Sequence, residues 1–266
     1  MRFMKMPSPL NKEEILAFLG TYAEKTDISI YSEIDSTNSE ARRRVRAGER
    51  KPTLILAEQQ TSGRGRMGRN YFSPAGAGIY MTYLWQPEAK PVDVISVTTA
   101  ISVAVVRALV SVPLLSRKQF SIKWVNDILL DGKKVCGILT EAMSDPEKGK
   151  ITDIWVGIGI NVYSAAFPPE LSEIATSLGE DDLNRNELIA RIMIEFLDIL
   201  EHTDPYAHMS YYRAHSAVIG KRVNTIVADV PTPGTVLDID RTGGLVVERL
   251  DGAIETIHSG EISLRF

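Results

Sequence analysis

Three glycines and three arginines interleave in Gly63-Arg64-Gly65-Arg66-Met67-Gly68-Arg69, shortly after the apolar run Leu54-Ile55-Leu56-Ala57. Glycine lets a backbone approach a ligand closely and adopt φ > 0. Arginine presents a fixed fork of donors that matches carboxylate and phosphate oxygens. A strand that runs into such a loop is suited to wrapping an anion. The run fits neither G-x-G-x-x-G with its following helix nor G-x-x-x-x-G-K-[ST]. A solvated, flexible surface loop is the plainer reading of the same residue types.

A second constellation is Lys123-Trp124-Val125-Asn126-Asp127, continuing through Asp131-Gly132-Lys133-Lys134-Val135-Cys136-Gly137. Asp131-Gly132 is a strong hairpin signal. If the chain reverses there, Asp127 and Lys134 return to one end of a sheet beside the arginine loop. An ammonium facing phosphoryl oxygens stabilises charge in a transfer reaction. A carboxylate beside it holds Mg²⁺, or orients and deprotonates an attacking amine. Spacing alone favours the simpler alternative, a charged turn with Lys133 and Lys134 in water. Asp35-Ser36-Thr37-Asn38 offers hydroxyls and N–H groups at a helix start, for a ligand or merely for a cap. Gly157-Ile158-Gly159-Ile160-Asn161 is a strand whose glycines suit close approach of a ligand or backbone, and whose Asn161 suits a nucleotide or a turn.

The elements that must position these groups alternate between helix and strand. Amphipathic periodicity predicts helices over 11–21 and 186–201, and a second helix over 205–215. A helix begins at the Asp35–Asn38 segment and stops at Gly48. Residues 94–110 are too long and too apolar for a strand, so a buried helix is expected. Strands are expected over 28–31, 53–58, 78–85, 121–124, 128–130, 134–142 and 154–162. After His215 short β-like runs alternate with turn signals at Pro231, Pro233-Gly234, Gly243-Gly244, Asp251-Gly252 and Gly260. That pattern predicts a small antiparallel β-barrel over 217–266, behind a larger domain over 1–216.

Composition narrows the function classes. The chain has 266 residues, 44% hydrophobic and 24% charged, as in an ordinary globular protein with a sizeable core. A net charge of −4 argues against bulk capture of nucleic acid, so any basic site is local. One cysteine, Cys136, excludes an intrachain disulfide framework and a cysteine-rich metal site. No apolar run is expected to reach the length that spans a bilayer, and no signal peptide is evident, so no membrane role and a cytoplasmic location are expected.

Taken together, these segments closely resemble the biotin–protein ligases. The resemblance rests on Ser36-Thr37-Asn38, on Ala57-Glu58-Gln59-Gln60 leading into the Gly/Arg loop, and on Tyr71-Phe72-Ser73-Pro74. It continues through Lys123-Trp124-Val125-Asn126-Asp127, Lys134-Val135-Cys136-Gly137-Ile138-Leu139, Gly157–Asn161 and the tail Gly260-Glu261-Ile262-Ser263-Leu264-Arg265. It implies an α/β (α+β) catalytic domain, a mixed sheet with helices related to class II tRNA synthetases, followed by the small barrel. It also implies two half-reactions. Biotin and ATP, with Mg²⁺, give biotinyl-5′-AMP and pyrophosphate; a lysine of a biotin carboxyl carrier domain then takes the biotinyl group.

By that resemblance Lys134, Arg66 and Asp127 are the catalytic set. Lys134 contacts the carboxylate and α-phosphate, Arg66 retains the adenylate, and Asp127 orients the lysine or Mg²⁺. Ser36, Thr37, Asn38, Gln60, Gly63, Arg64 and Gly137 join Arg66 and Lys134 around biotin. Arg69, Tyr71, Asn126 and Asn161 join Arg66 and Lys134 around the nucleotide, with Tyr71 where many relatives have Trp. Metal ligands are not assigned. Val125 stands where proline is commonest. About thirty residues precede the first strand, too few for a DNA-binding domain, so no operator-specific DNA binding is expected. Homodimers occur in the family, and no stretch here reads as an interface. Met4-Lys5-Met6 resembles the surroundings of a carrier's acceptor lysine, with coincidence in a tail as the plainer reading. The sister lipoate and octanoate ligases, a non-catalytic biotin or nucleotide sensor and a nucleic-acid binder are the competing readings; the first lack this form of the loop.

Overall fold

The computed structural model of the chain describes residues 8–87, 93–145, 147, 149–164, 167–227 and 230–263. Met4-Lys5-Met6 and the end of the Gly260–Arg265 motif lie outside them. The first strands are β1 (Asp27–Tyr31), β2 (Thr53–Ala57), β3 (Gly78–Trp85), β4 (Phe120–Lys123), β5 (Asp127–Leu130), β6 (Lys133–Asp145) and β7 (Lys150–Asn161). They form one mixed sheet in the order β1-β2-β3-β7-β6-β5-β4. Only β1 and β2 run parallel; the other neighbours are antiparallel. Every residue of β2 and β3 is buried, as expected for central strands covered on both faces.

The helices are α1 (Lys12–Leu19), α2 (Thr37–Arg46), α3 (Val94–Ser111), α4 (Pro169–Ser172), α5 (Arg185–Glu201) and α6 (Met209–Ala214). Asn11, Asp93 and Asn184 accept main-chain N–H bonds at the starts of α1, α3 and α5, satisfying donors the helices leave free. One sheet face packs against α3 and α5 in the main core; Ala41 and Val45 of α2 cover part of the other, over Ile55, Leu84 and Trp155. The 3.6-residue period of α5 and the unbroken apolar run of α3 are therefore both core signals.

Three expectations need correction. Residues 94–111 do form a helix long and apolar enough to cross a membrane, contrary to the reading that no run reaches that length; 72% of it is buried inside the protein, against the sheet, α5 and α6. The helix expected over 205–215 begins only at Met209, after turns; Asp204 accepts from the Tyr206 N–H and holds the chain in a turn there. Pro231 and Pro233 do not mark turns but lie in a strand, β9 (Val230–Ile239). Proline is tolerated there because 230–233 pair only with β8 (Arg222–Val227), while β10 (Leu245–Arg249) joins β9 from Gly234 onward. With β11 (Ile254–Ile257) and β12 (Glu261–Ser263) these strands make a five-stranded antiparallel sheet in the order β11-β10-β9-β8-β12.

The two sheets meet through Trp124, whose indole N–H donates to the Gly243 carbonyl at 2.8 Å. Gly243 has φ +92, and a Cβ there would stand 2.6 Å from Ile95 Cγ2. Glycine answers both demands at this contact.

Candidate functional site

The sheet register builds the site. Tyr80, Gly159, Gly137, Asp127 and Lys123 are successive partners across β3, β7, β6, β5 and β4. Thr82, Gly157 and Leu139 form the next row, and Leu84, Trp155 and Glu141 the one after. Directly paired residues, and residues two apart on a strand, share a face. Gly137, Gly157 and Gly159 thus give that face a floor free of side chains. The Asp131-Gly132 turn, with φ 51 and 78, makes the reversal that brings Lys134 back to Asp127.

Neutral polar groups line one side of the cleft. The Thr37 N–H and hydroxyl both donate to Gln60 Oε1, at 2.9 and 3.2 Å, and Gln60 Nε2 donates to Ser73 Oγ at 2.9 Å. Thr82 Oγ1 lies 2.8 Å from both Thr37 Oγ1 and Asn38 Oδ1. Ser36 is the residue before α2, but its side chain makes no cap bond, so the buried hydroxyl faces the cleft uncommitted to the helix. Asn38 Nδ2 donates to the Leu139 carbonyl and to Glu141.

The Gly/Arg loop forms the wall. It closes on itself through Gly65 N to Arg69 O and Tyr71 N to Gly63 O. Met67, 65% exposed with φ 54, and Gly68, with φ 72, form its tip. Gly63 admits no side chain, since a Cβ would sit 2.5 Å from the Tyr71 carbonyl. Arg64 makes a two-pronged contact with Glu141, both bonds 3.1 Å. Arg66 donates to Asn126 Oδ1 at 3.0 Å and to the Gly260 carbonyl at 2.8 Å, and Arg69 pairs with Glu261 at 2.6 Å.

Tyr71 lies on the floor, its ring 2.5 Å from where a Gly159 Cβ would be. Its hydroxyl donates to Asn161 Oδ1 at 3.3 Å, and Asn161 Nδ2 donates to the Thr176 carbonyl. Burial raises the Tyr71 phenol well above its ordinary value, so it stays a neutral donor. Lys134 Nζ stands 2.7 Å from Asp127 Oδ1 and 6.0 Å from the Tyr71 ring centre. Burial holds the Lys123 ammonium below its usual range, with the Asp127 charge opposing the shift. The Trp124–Val125 peptide is cis.

The cleft therefore unites Ser36, Thr37, Asn38, Gln60, Arg64, Arg66, Tyr71, Asn126, Lys134 and Gly137 from segments spread over about a hundred residues. Asp127 and Asn161 adjoin it through Lys134 and Tyr71; Arg69 points to the second sheet instead. Sequence reading assigned no site role to Glu141, Thr82, Ser73 or Trp155. Glu141 carries a faint signal as an acid inside the otherwise uncharged run 135–144 of β6. Cationic groups beside a side-chain-free floor and a neutral polar pocket suit a ligand with one polar head, an apolar body and an anionic end. Among the described residues no three acidic, histidine or cysteine side chains converge on a metal position.

Residues 31–161 match the biotin/lipoate A/B protein ligase family and residues 218–265 the biotin protein ligase C-terminal domain. The chain is similar to the bifunctional ligase/repressor BirA of Bacillus spizizenii, 31% identical over 270 aligned residues that cover 99% of this chain and 82% of that protein. It is 27% identical to the biotin–[acetyl-CoA-carboxylase] ligase of Mycobacterium tuberculosis, covering 97% of each. The solved biotin protein ligase of Aquifex aeolicus in complex with biotin and ATP has a TM-score of 0.73 at 27% identity, over 89% of this chain and 97% of that one. Aligned along nearly its full length and carrying both modules in order, the chain belongs to the biotin protein ligase family.

Proposed function

We propose that the cleft activates biotin with ATP and passes it to a carrier lysine. In the first half-reaction a biotin carboxylate oxygen bonds to the α-phosphorus and pyrophosphate leaves. In the second the lysine ε-nitrogen bonds to the activated carbonyl, AMP leaves with the bonding pair, and the amine loses a proton. The acceptor is a lysine of a biotin carboxyl carrier domain.

The observation that carries this reading is the side-chain-free floor of Gly137, Gly157 and Gly159 set between neutral Ser36, Thr37 and Gln60 and cationic Arg66 and Lys134. The ureido head of biotin meets Ser36, Thr37, Asn38 and Gln60, and its ring system lies over Gly137. Lys134 and Arg66 face the carboxylate and α-phosphate. Bringing those two anions together is opposed by like charge, and fixed cations in a water-poor site offset it. Arg69, Tyr71, Asn126 and Asn161 serve the nucleotide. Asp127, released when Lys134 turns toward the phosphate, orients the incoming amine.

Asp127, paired with Lys134 beside the cleft, would hold Mg²⁺ together with substrate phosphates, and the ion would offset polyphosphate charge. The catalytic unit spans 1–216 and the small sheet domain 217–266. We place the protein in the cytoplasm, without a membrane role; a homodimer is compatible with the family. Operator-specific DNA binding is not proposed. The net charge is −4, and Arg42, Arg43 and Arg44 of α2 are engaged by Glu141, Asp35 and Glu40.

ATP–pyrophosphate exchange with biotin, lipoate or octanoate as the only acid tests the reading. Exchange with biotin alone supports it. Exchange with lipoate or octanoate instead moves the protein to the sister chemistry, and no exchange by folded protein favours a non-catalytic biotin sensor.

A further inference from the structure

The turn that leads to Asp127 is held from behind. β4 ends at Lys123 and β5 begins at Asp127, so Trp124, Val125 and Asn126 make the whole connection. Just before it, Ile122 pairs with the chain that leads into the second domain. Its N–H donates to the His215 carbonyl at 2.7 Å, and its carbonyl accepts from the Ala217 N–H at 2.8 Å. Trp124 donates to the Gly243 carbonyl, and the Val125 carbonyl accepts from the Tyr212 hydroxyl at 3.1 Å. Asn126 is tied to β6: its Nδ2 donates to the Ile138 carbonyl, and its own carbonyl accepts from the Ile138 N–H. Lys123 and Asp127 are cross-strand partners on the cleft face.

Tyr212, on α6, is fully buried. Burial, and after it the Asp127 charge, raise its phenol well above the ordinary value, so it stays a neutral donor. The next residue of α6 reaches the second sheet, where Arg213 donates to the Ile239 carbonyl at 3.3 Å. This helix therefore joins the back of the Asp127 turn to the second domain. Phenylalanine would fill the same volume as Tyr212 but leave a buried carbonyl without its donor. An acceptor so stranded costs more than the net worth of one bond, so the turn is expected to follow the hydroxyl.

We propose that Tyr212 is a positioning residue for Asp127. Its hydroxyl fixes the Val125 carbonyl, beside the tie from Trp124 to Gly243, and so α6 and the second domain set where the carboxylate stands in the cleft. The proposal rests on the ligase reading for what Asp127 does; the support of the turn is a property of the protein itself.

The test compares wild type, Tyr212→Phe, Asp127→Asn and the double variant. Biotin-dependent pyrophosphate exchange follows the first half-reaction. Transfer from preformed biotinyl-5′-AMP to the apo carrier domain of an acetyl-CoA carboxylase follows the second. Tyr212→Phe should slow the half-reaction that Asp127→Asn slows most, by about tenfold, the scale of one net hydrogen bond, with KM for biotin within about twofold. The double variant should be no slower than Asp127→Asn alone, since the hydroxyl acts through that carboxylate. In the free protein, amide hydrogen exchange over 122–128 should quicken at least several-fold in Tyr212→Phe and stay unchanged over β1–β3. Wild-type rates in folded Tyr212→Phe, effects that multiply in the double variant, or slowing of a half-reaction that Asp127→Asn leaves alone would overturn the proposal. Should Tyr212→Phe not fold, Trp124→Phe, which cuts the neighbouring tie of the same support, takes its place under the same criteria. Absence of both half-reactions in folded wild type would refute the ligase reading, while amide exchange would still judge the support of the turn.

Discussion

Replacing Gly157 by alanine tests the floor of the cleft. The added Cβ would fall less than 3.0 Å from Asn38 Oδ1. Neither partner has room to yield. Strand β7 is paired on both sides at this point, to Thr82 and to Leu139. The Asn38 residue is 4% exposed, and its amide bonds Leu139 and Glu141. Overpacking of this kind costs about 1–3 kcal/mol. Pushing the amide off its partners adds about 1–3 kcal/mol for buried groups left unpaired. The sum, roughly 2–6 kcal/mol, should lower the thermal midpoint by about 5 °C or more. Gly159→Ala is the comparison. There the Cβ meets the Tyr71 ring at 2.5 Å, and that ring lines the cleft rather than the core, its hydroxyl held by a 3.3 Å bond to Asn161. Gly159→Ala should therefore cost less stability but raise KM for the nucleotide or biotin. Urea unfolding and pyrophosphate exchange on both variants separate the two effects. Wild-type stability in Gly157→Ala would refute the view that the floor is closed by Asn38.

The remaining expectations concern charge and pH. Lys134→Ala should slow adenylate formation by about 10²-fold, the scale for removing one preorganised electrostatic partner; near wild-type exchange would remove it from the catalytic set. Arg66→Ala should raise the biotin Kd by about tenfold, since it loses charge-assisted contacts, and release free biotinyl-5′-AMP, seen as product in the filtrate without a carrier. His208 is buried and bonded to Thr99 at 2.8 Å; burial, aided by the Arg107 charge, pushes its pKa down to about 4. The unfolded chain then binds a proton near its ordinary 6.5 while the folded one does not, so stability is full above that pH and falls toward about 4. The loss is up to about 3 kcal/mol. Chemical denaturation between pH 6.5 and 4.5, above the usual carboxylate range, should show that slope in wild type and not in His208→Gln; an equal slope in both would assign it elsewhere.

Much of this molecule was legible along the chain. The alternation of α5, the apolar continuity of α3, the Asp131-Gly132 reversal and the glycines of β7 are local signals, because periodicity and φ > 0 demands act over a few residues. The residue types of the Gly/Arg loop raise the expectation of an anion site. Spacing could not say whether Lys134 stays in water or returns to Asp127; strand register brings them together by laying Lys123, Asp127 and Gly137 in one row, with Lys134 Nζ 2.7 Å from Asp127 Oδ1. Prolines 231 and 233 misled because their effect depends on which neighbour a strand has, and β10 leaves that stretch unpaired on one side. The fate of each arginine was also decided only in three dimensions. Arg64 met Glu141, 77 positions away, and Arg66 met Gly260, 194 positions away. A sequence fixes which donors exist, but whether a donor is spent inside the protein or left for a substrate depends on partners that only the packed sheets bring within hydrogen-bond reach.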